Sequence, residues 1–131
     1  MTRLAKIVGA AVLALAAGCG SSSNDPGSPP VDGNTQISAA TATDKMNLCN
    51  WYVGMVGGYG STATCSMALL KAPPTEADCV AGFPTCAVPV STFEACVRTI
   101  IAAQATCTQA SIAMAQQDPN CATVGAAGCF N

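Results

Sequence analysis

Apolar and polar positions divide the chain into three stretches. Residues 7–17 are apolar or small throughout, residues 20–36 (GSSSNDPGSPPVDGNTQ) hold almost no large apolar side chain, and from Ile37 onward apolar residues recur at intervals of three and four. That last spacing puts side chains on one face of a helix. It predicts a first helix over 42–56, with Met46, Cys49, Val53 and Val56 in line and Leu48, Trp51, Tyr52 and Met55 widening the stripe; Gly57-Gly58 stops it. A weaker helix is predicted over 62–71, ended by Pro73-Pro74, and a short one over 76–83, ended by Pro84. The clearest stretch is 92–117, free of Gly and Pro, with Phe93, Val97, Ile100, Gln104, Cys107, Ser111 and Met114 in register. It reads as one helix, or as two broken near Thr106-Cys107-Thr108. Pro119 ends it, and Gly125 and Gly128 predict an irregular tail.

Three of these starts carry a hydroxyl followed three residues later by an acid: Thr41 with Asp44, Thr75 with Asp78, Ser91 with Glu94. The hydroxyl accepts from backbone N–H groups that the first turn leaves without partners, and the acid suits the positive helix end. No run of alternating β-branched residues competes, so the expected fold is all-α: a small disulfide-stapled domain of four to five helices over 37–131.

The apolar run at 7–17 follows a short positive start, Arg3 and Lys6. It is too short to span a bilayer and suits the core of a signal peptide over 1–18. It ends in Leu15-Ala16-Ala17-Gly18-Cys19, which resembles the bacterial lipobox, with Ala16 in place of the commoner Leu. The resemblance implies cleavage before Cys19, lipidation of its thiol and an N-terminus carrying three acyl chains. More than one chain gives stable anchoring at about 0.8 kcal/mol per buried methylene. Ala14-Leu15-Ala16 also offers a site for the general signal peptidase, which leaves a secreted, non-lipidated protein as the alternative. Residues 19–36 read as the lipidated cysteine and a disordered spacer. Gly20, where an inner-membrane signal would place Asp, resembles outer-membrane sorting. Further resemblance, to uncharacterised Ala- and Cys-rich lipoproteins of myxobacteria, is carried by three motifs. They are Cys19-Gly20-Ser21-Ser22-Ser23; Leu48-Cys49-Asn50-Trp51 leading to Gly57-Gly58-Tyr59-Gly60; and Phe93-Glu94-Ala95-Cys96-Val97. It implies no particular activity.

The chain has 131 residues and nine cysteines. With Cys19 lipidated, eight remain, an even number: Cys49, Cys65, Cys79, Cys86, Cys96, Cys107, Cys121 and Cys129. Export makes disulfides the default. Structural zinc favours close Cys pairs, and there is no C-x-x-C and no histidine, so no metal or other cofactor is expected. Eight cysteines allow 105 connectivities. Hairpin symmetry about Gly57-Gly58, Val88 and Asp118 suggests Cys49–Cys65, Cys79–Cys96 and Cys107–Cys129, leaving Cys86–Cys121. Cys96 and Cys107 lie about 16 Å apart along a continuous helix and cannot join unless it breaks.

Once Arg3 and Lys6 are removed, Lys45, Lys71 and Arg98 face seven acids. Three scattered cations make no phosphate-tracking surface, so nucleic acid is not an expected partner. Lack of histidine removes Ser-His-Asp and Cys-His catalysis. Paired carboxylates stay conceivable, with Asp44, Glu76, Asp78, Glu94 and Asp118 as candidates, but three of these sit where helix-start acids belong. The reading is therefore a non-catalytic envelope module, bound to the membrane through its acyl chains, that contacts an envelope protein, glycan or lipid. Trp51 and Tyr52 are its candidate contact surface, although Trp51 reads more readily as core, and a carboxylate- or hydroxyl-dependent envelope enzyme is the alternative. Cys19→Ser is expected to abolish incorporation of labelled palmitate and to release the protein from membranes. Retained labelling in that variant would refute the lipobox.

Overall fold

The computed structural model of the protein describes residues 27–130; the leader and Cys19 lie outside the described residues. A 3-10 turn at Ile37–Ala39 precedes five helices: α1 Ala42–Met55, α2 Glu76–Ala81, α3 Val90–Thr106, α4 Gln109–Gln116 and α5 Pro119–Ala126. Among the described residues there is no strand, only an isolated bridge between Gln36 and Pro89. The fold is all-α and disulfide-stapled, as its periodicity predicts.

Two expected caps form. Thr41 and Asp44 make a reciprocal capping box at α1, and the Thr75 hydroxyl accepts from the Asp78 N–H at α2. The hydrogen bonds from the Thr41 hydroxyl and N–H hold the Asp44 carboxyl below the usual carboxylate range. α1 stops as expected: Gly57 and Gly58 take φ of 99° and 100°, and the Gly58 N–H returns to the Val53 carbonyl, the bond pattern of a glycine-terminated helix.

The expected Ser91–Glu94 cap does not form. α3 begins earlier, after Pro89, with no side-chain cap. Its first N–H groups are satisfied by a preceding segment instead: Val90 N–H donates to the Thr35 carbonyl and Ser91 N–H to the Gly33 carbonyl, each at 2.9 Å. Helix starts leave such donors without intrahelical partners, and here main chain provides the acceptors. Ile37 N–H to Val88 O and Ser38 N–H to Cys86 O extend the same ladder. The spacer is therefore ordered from Gly27, not disordered to residue 36, and the folded unit starts about ten residues before the expected boundary at Ile37. Gly33 allows the close approach: a Cβ there would meet the Ser91 Cβ at 3.2 Å.

Two further expectations are corrected, and one open reading is decided. Residues 62–71 form an irregular loop, not a helix, because their backbone is tied to distant side chains: Leu70 to the Gln104 amide in both directions, and the Lys71 carbonyl to the Tyr52 hydroxyl. The stretch 92–117 is two helices, the second of its two readings, with the break at Cys107. Cys107 takes the left-handed conformation (φ 49°, ψ 44°) and Thr108 caps α4. For a residue with a Cβ this conformation costs about 1–2 kcal/mol. The tail is helical, since Asp118 accepts from the Asn120 and Cys121 N–H groups and Pro119 occupies the first position of α5.

All eight cysteines beyond Cys19 are paired, but none of the four expected pairs occurs. The bridges are Cys49–Cys79, Cys65–Cys107, Cys86–Cys129 and Cys96–Cys121, with α-carbons 4.6–6.0 Å apart. Hairpin symmetry fails because the 56–75 loop crosses over to the end of α3 rather than folding back on α1. Cys65 thereby reaches Cys107, and Cys49 is left to face Cys79 on α2. Helix α5 then returns along α3, so Cys121 meets Cys96 and Cys129 meets Cys86. The loops closed span 25 to 43 residues, and a loop of that size stabilises by about 3–4 kcal/mol in the chain-entropy picture.

The bridges sort the molecule into two halves. Cys49–Cys79 lies within α1, its loop and α2; Cys86–Cys129 and Cys96–Cys121 lie within the α3–α5 half; only Cys65–Cys107 joins one half to the other. A shared core of Leu48, Trp51, Val90, Phe93, Val97, Ile100 and Val124 fills the space between them. Leu48 is fully buried, whereas Met114 is 72% exposed. Leu48→Ala is expected to destabilise by about 2–5 kcal/mol and Met114→Ala to change stability by less than about 0.5 kcal/mol; thermal unfolding of both variants checks the contrast.

Candidate functional site

The α1–α2 half meets the α3–α5 half along a seam that is not fully closed. The seam opens into a groove of about 490 Å³, walled by Tyr52, Leu69, Leu70, Phe83, Phe93 and Phe130. The chain has three phenylalanines, and all three converge here. Phe93 lies between the other two, with ring centroids 5.9 Å from Phe83 and 6.1 Å from Phe130; tilted pairs at this distance are favourable beyond the area they bury. Phe93 belongs to the core, but Leu69 and Phe130 each remain 43% exposed. Lys71 and Asp78 supply the charges at the margin. A second groove, of about 360 Å³, is lined by Met55, Cys65 and Ile101 and shares Leu70 and Lys71 with the first.

Local structure sets each wall. Phe83 follows α2, and its N–H donates to the Val80 carbonyl. Phe130 follows Cys129, which is pinned to Cys86. Leu69 and Leu70 are held by the Gln104 amide, at 2.7 Å to the Leu70 N–H and 3.2 Å to its carbonyl. The Tyr52 hydroxyl donates to the Lys71 carbonyl, and burial pushes its ionisation up to about 12.

The expected contact pair splits. Trp51 is 3% exposed and belongs to the core, so it is no surface platform. Its ring carries the Arg98 guanidinium at 5.6 Å, and its Nε1–H donates to the Gly27 carbonyl at 2.6 Å. Three residues along the helix from a fully buried Leu48, it has no solvent face to offer. Tyr52, one position on, does line the groove.

The carboxylates do not converge. Asp44 and Asp118 cap helices. Asp78 accepts from the Thr75 hydroxyl at 2.6 Å, and Glu94 pairs with Arg98 at 3.0 Å. Glu76 accepts from the Asn50 side-chain amide, whose Oδ1 accepts from the Tyr59 hydroxyl. Burial and the nearby Glu76 charge raise the Tyr59 ionisation. Among the described residues no three Cys, Asp or Glu side chains are grouped to hold a metal ion, and no buried side-chain N or O atom lacks a hydrogen-bond partner.

The sequence reading placed Phe93 on a helical stripe and passed over Phe83, Leu69 and Phe130. Their one shared signal is scarcity: in a chain this poor in aromatics, every phenylalanine is at the groove.

Because Tyr52 is favoured in its neutral form, its contribution to stability is complete below the ordinary tyrosine range near pH 10 and is lost as pH rises towards 12. Tyrosinate absorbance is expected to show a late-titrating group that Tyr52→Phe removes, with the domain loosening as that group ionises.

No family model matches the chain, and neither characterised proteins nor solved structures show a significant match to it.

Proposed function

We propose that the protein is an outer-membrane lipoprotein, tethered through Cys19, whose helical domain acts by binding a small apolar ligand of the acyl-chain type in the groove along its seam. The observation that carries this reading is the convergence of Phe83, Phe93 and Phe130 with exposed leucine at an opening of about 490 Å³. That volume lies in the usual range for small-molecule sites, about 300–1,000 Å³. Leaving Leu69 and Phe130 part-exposed forgoes stabilisation of about 25 cal/mol per Å² of apolar surface, and an apolar ligand recovers it. The spacer from Cys19 to Gly27 is eight residues, so it reaches at most about 29 Å and keeps the domain close to the bilayer from which such a ligand would come.

The same reading makes the protein a binder rather than an enzyme. A catalytic site usually gathers titratable groups with perturbed pKa values in a pocket. The acids here are committed to caps, an ion pair and the Asn50 network, the groove's charged groups are Lys71 and Asp78, and the Tyr52 phenol in its wall is held neutral by burial and bonded to the Lys71 carbonyl.

The test is fluorescence titration of the full chain with cis-parinaric acid. Saturable binding is expected, weakened about tenfold, or about 1.4 kcal/mol, by Phe130→Ser or Leu69→Ser, and unchanged by Met114→Ser, an exposed residue that does not line the groove. Equal binding by all three variants would discard the groove. Binding absent from the chain but appearing in a partner pull-down that Phe130→Ser abolishes would make the groove a protein-docking site instead.

A further inference from the structure

The one bridge that crosses the seam also carries the one half-cystine that is not buried. Seven of the eight half-cystines are buried; Cys107 alone is part-exposed. Cys107 is also the only residue other than glycine with positive φ among the described residues, so the bridge is anchored on a backbone conformation that disfavours a side chain. Its partner Cys65 sits in the 56–75 loop, which has little else to hold it. Between Thr62 and Pro74 its main-chain bonds to the rest of the protein are the paired bonds from Leu70 to the Gln104 amide and that from the Tyr52 hydroxyl to the Lys71 carbonyl, while Gly60 N–H to Pro73 O only closes the loop on itself. Exposed or strained disulfides are the labile ones, and exchange rate depends on which sulfur can be attacked.

We propose that Cys65–Cys107 is a thiol-exchange site, attacked at the Cys107 sulfur by an external dithiol, and that its reduction frees the 56–75 loop and opens the seam. A thiolate of the dithiol attacks Cys107 Sγ, the bond to Cys65 breaks, and Cys65 leaves as a thiolate that takes a proton from water. The second thiol of the dithiol then attacks the mixed disulfide and releases Cys107. The protein disulfide gains two electrons and the dithiol is oxidised to its own disulfide. The other three bridges stay closed because their sulfurs are buried, so α1 remains stapled to α2, and α3 to α5. What separates is the wall bearing Leu69, Leu70 and Lys71, shared by the two grooves or lining one of them. The exchange site stands on its own observations, and only its effect on ligand rests on the binding function proposed above.

The experiment treats the full chain with increasing dithiothreitol, quenches with an alkylating agent and maps the modified cysteines by mass spectrometry. Cys65 and Cys107 are expected to be modified at dithiol concentrations about tenfold below those that open the other bridges. Hydrogen exchange of the selectively reduced protein is read in parallel. Amides of the 58–74 segment, Leu70 above all, are expected to lose protection about tenfold, while α3 and α5 keep theirs. Modification of any other pair first, or unchanged protection across 58–74, overturns the proposal. A Cys65→Ser, Cys107→Ser double variant is expected to reproduce the exchange pattern; if it does not fold, the reduced native protein still decides the outcome. Failure of cis-parinaric acid to bind either form strikes at the ligand reading and leaves the alkylation order to judge the exchange site.

Discussion

Four covalent crosslinks stand in for the hydrophobic interior that a domain of about one hundred residues struggles to assemble. A chain this size buries little more than about 60% of its unfolded surface and is marginal without added constraint. The interior here is thin: one tryptophan, the single buried phenylalanine Phe93 and a scatter of valine, isoleucine and leucine. Seven of the twenty buried apolar side chains are half-cystines. The sulfur pairs therefore serve twice, as restraint on the unfolded chain and as packing volume, since buried cysteine behaves as a small hydrophobe. Helix propensity and caps shape each segment, but the order in which the segments meet follows the bridges.

A thin interior distributed over two halves also explains where an opening can exist. Where the halves share Leu48, Trp51 and Val97 they close on each other. Further out, the supply of large side chains ends with Phe83, Phe93 and Phe130, and the loop that contributes Leu69 and Leu70 stands off from α3 on the Gln104 amide and on Cys65–Cys107. The groove is thus a consequence of composition as much as of topology. Adding aromatic bulk along the seam would fill it, and removing the crossing bridge would leave nothing covalent to set its width.

What could be read in advance was local. The starts of α1 and α2 and the stop at Gly57-Gly58 each depend on residues within one or two turns, and each forms as expected. The errors come from features whose cause is distant or ambiguous. Asp118-Pro119 was read as an ending, although an acid before proline is equally the cap and first residue of a new helix; α5 uses it in that way. Ser91 and Glu94 satisfied the cap pattern, but the donors of α3 were already met by the carbonyls of Gly33 and Thr35. Nothing in the composition of that Ser-, Gly- and Pro-rich stretch announces the role, because main-chain acceptors do not depend on side-chain type. The disulfide pairing failed for a single reason: symmetry about turns assumes that each segment folds back on its neighbour, whereas the 56–75 loop travels to the end of α3. The groove was invisible for the same reason, since its walls come from five separate places in the chain.

The carbonyl of Gly27 receives the Trp51 indole N–H and an Arg98 guanidinium N–H, each at 2.6 Å. Those two side chains belong to different halves, and the guanidinium lies over the indole ring. A pull arriving along the chain from the N-terminal side of Gly27 is thus divided between α1 and α3 at its point of entry. It reaches the main-chain ladder between residues 33–38 and 86–91 only afterwards. Load applied in this way draws on both halves together rather than peeling one from the other, so the place where the chain enters the domain is also its strain relief.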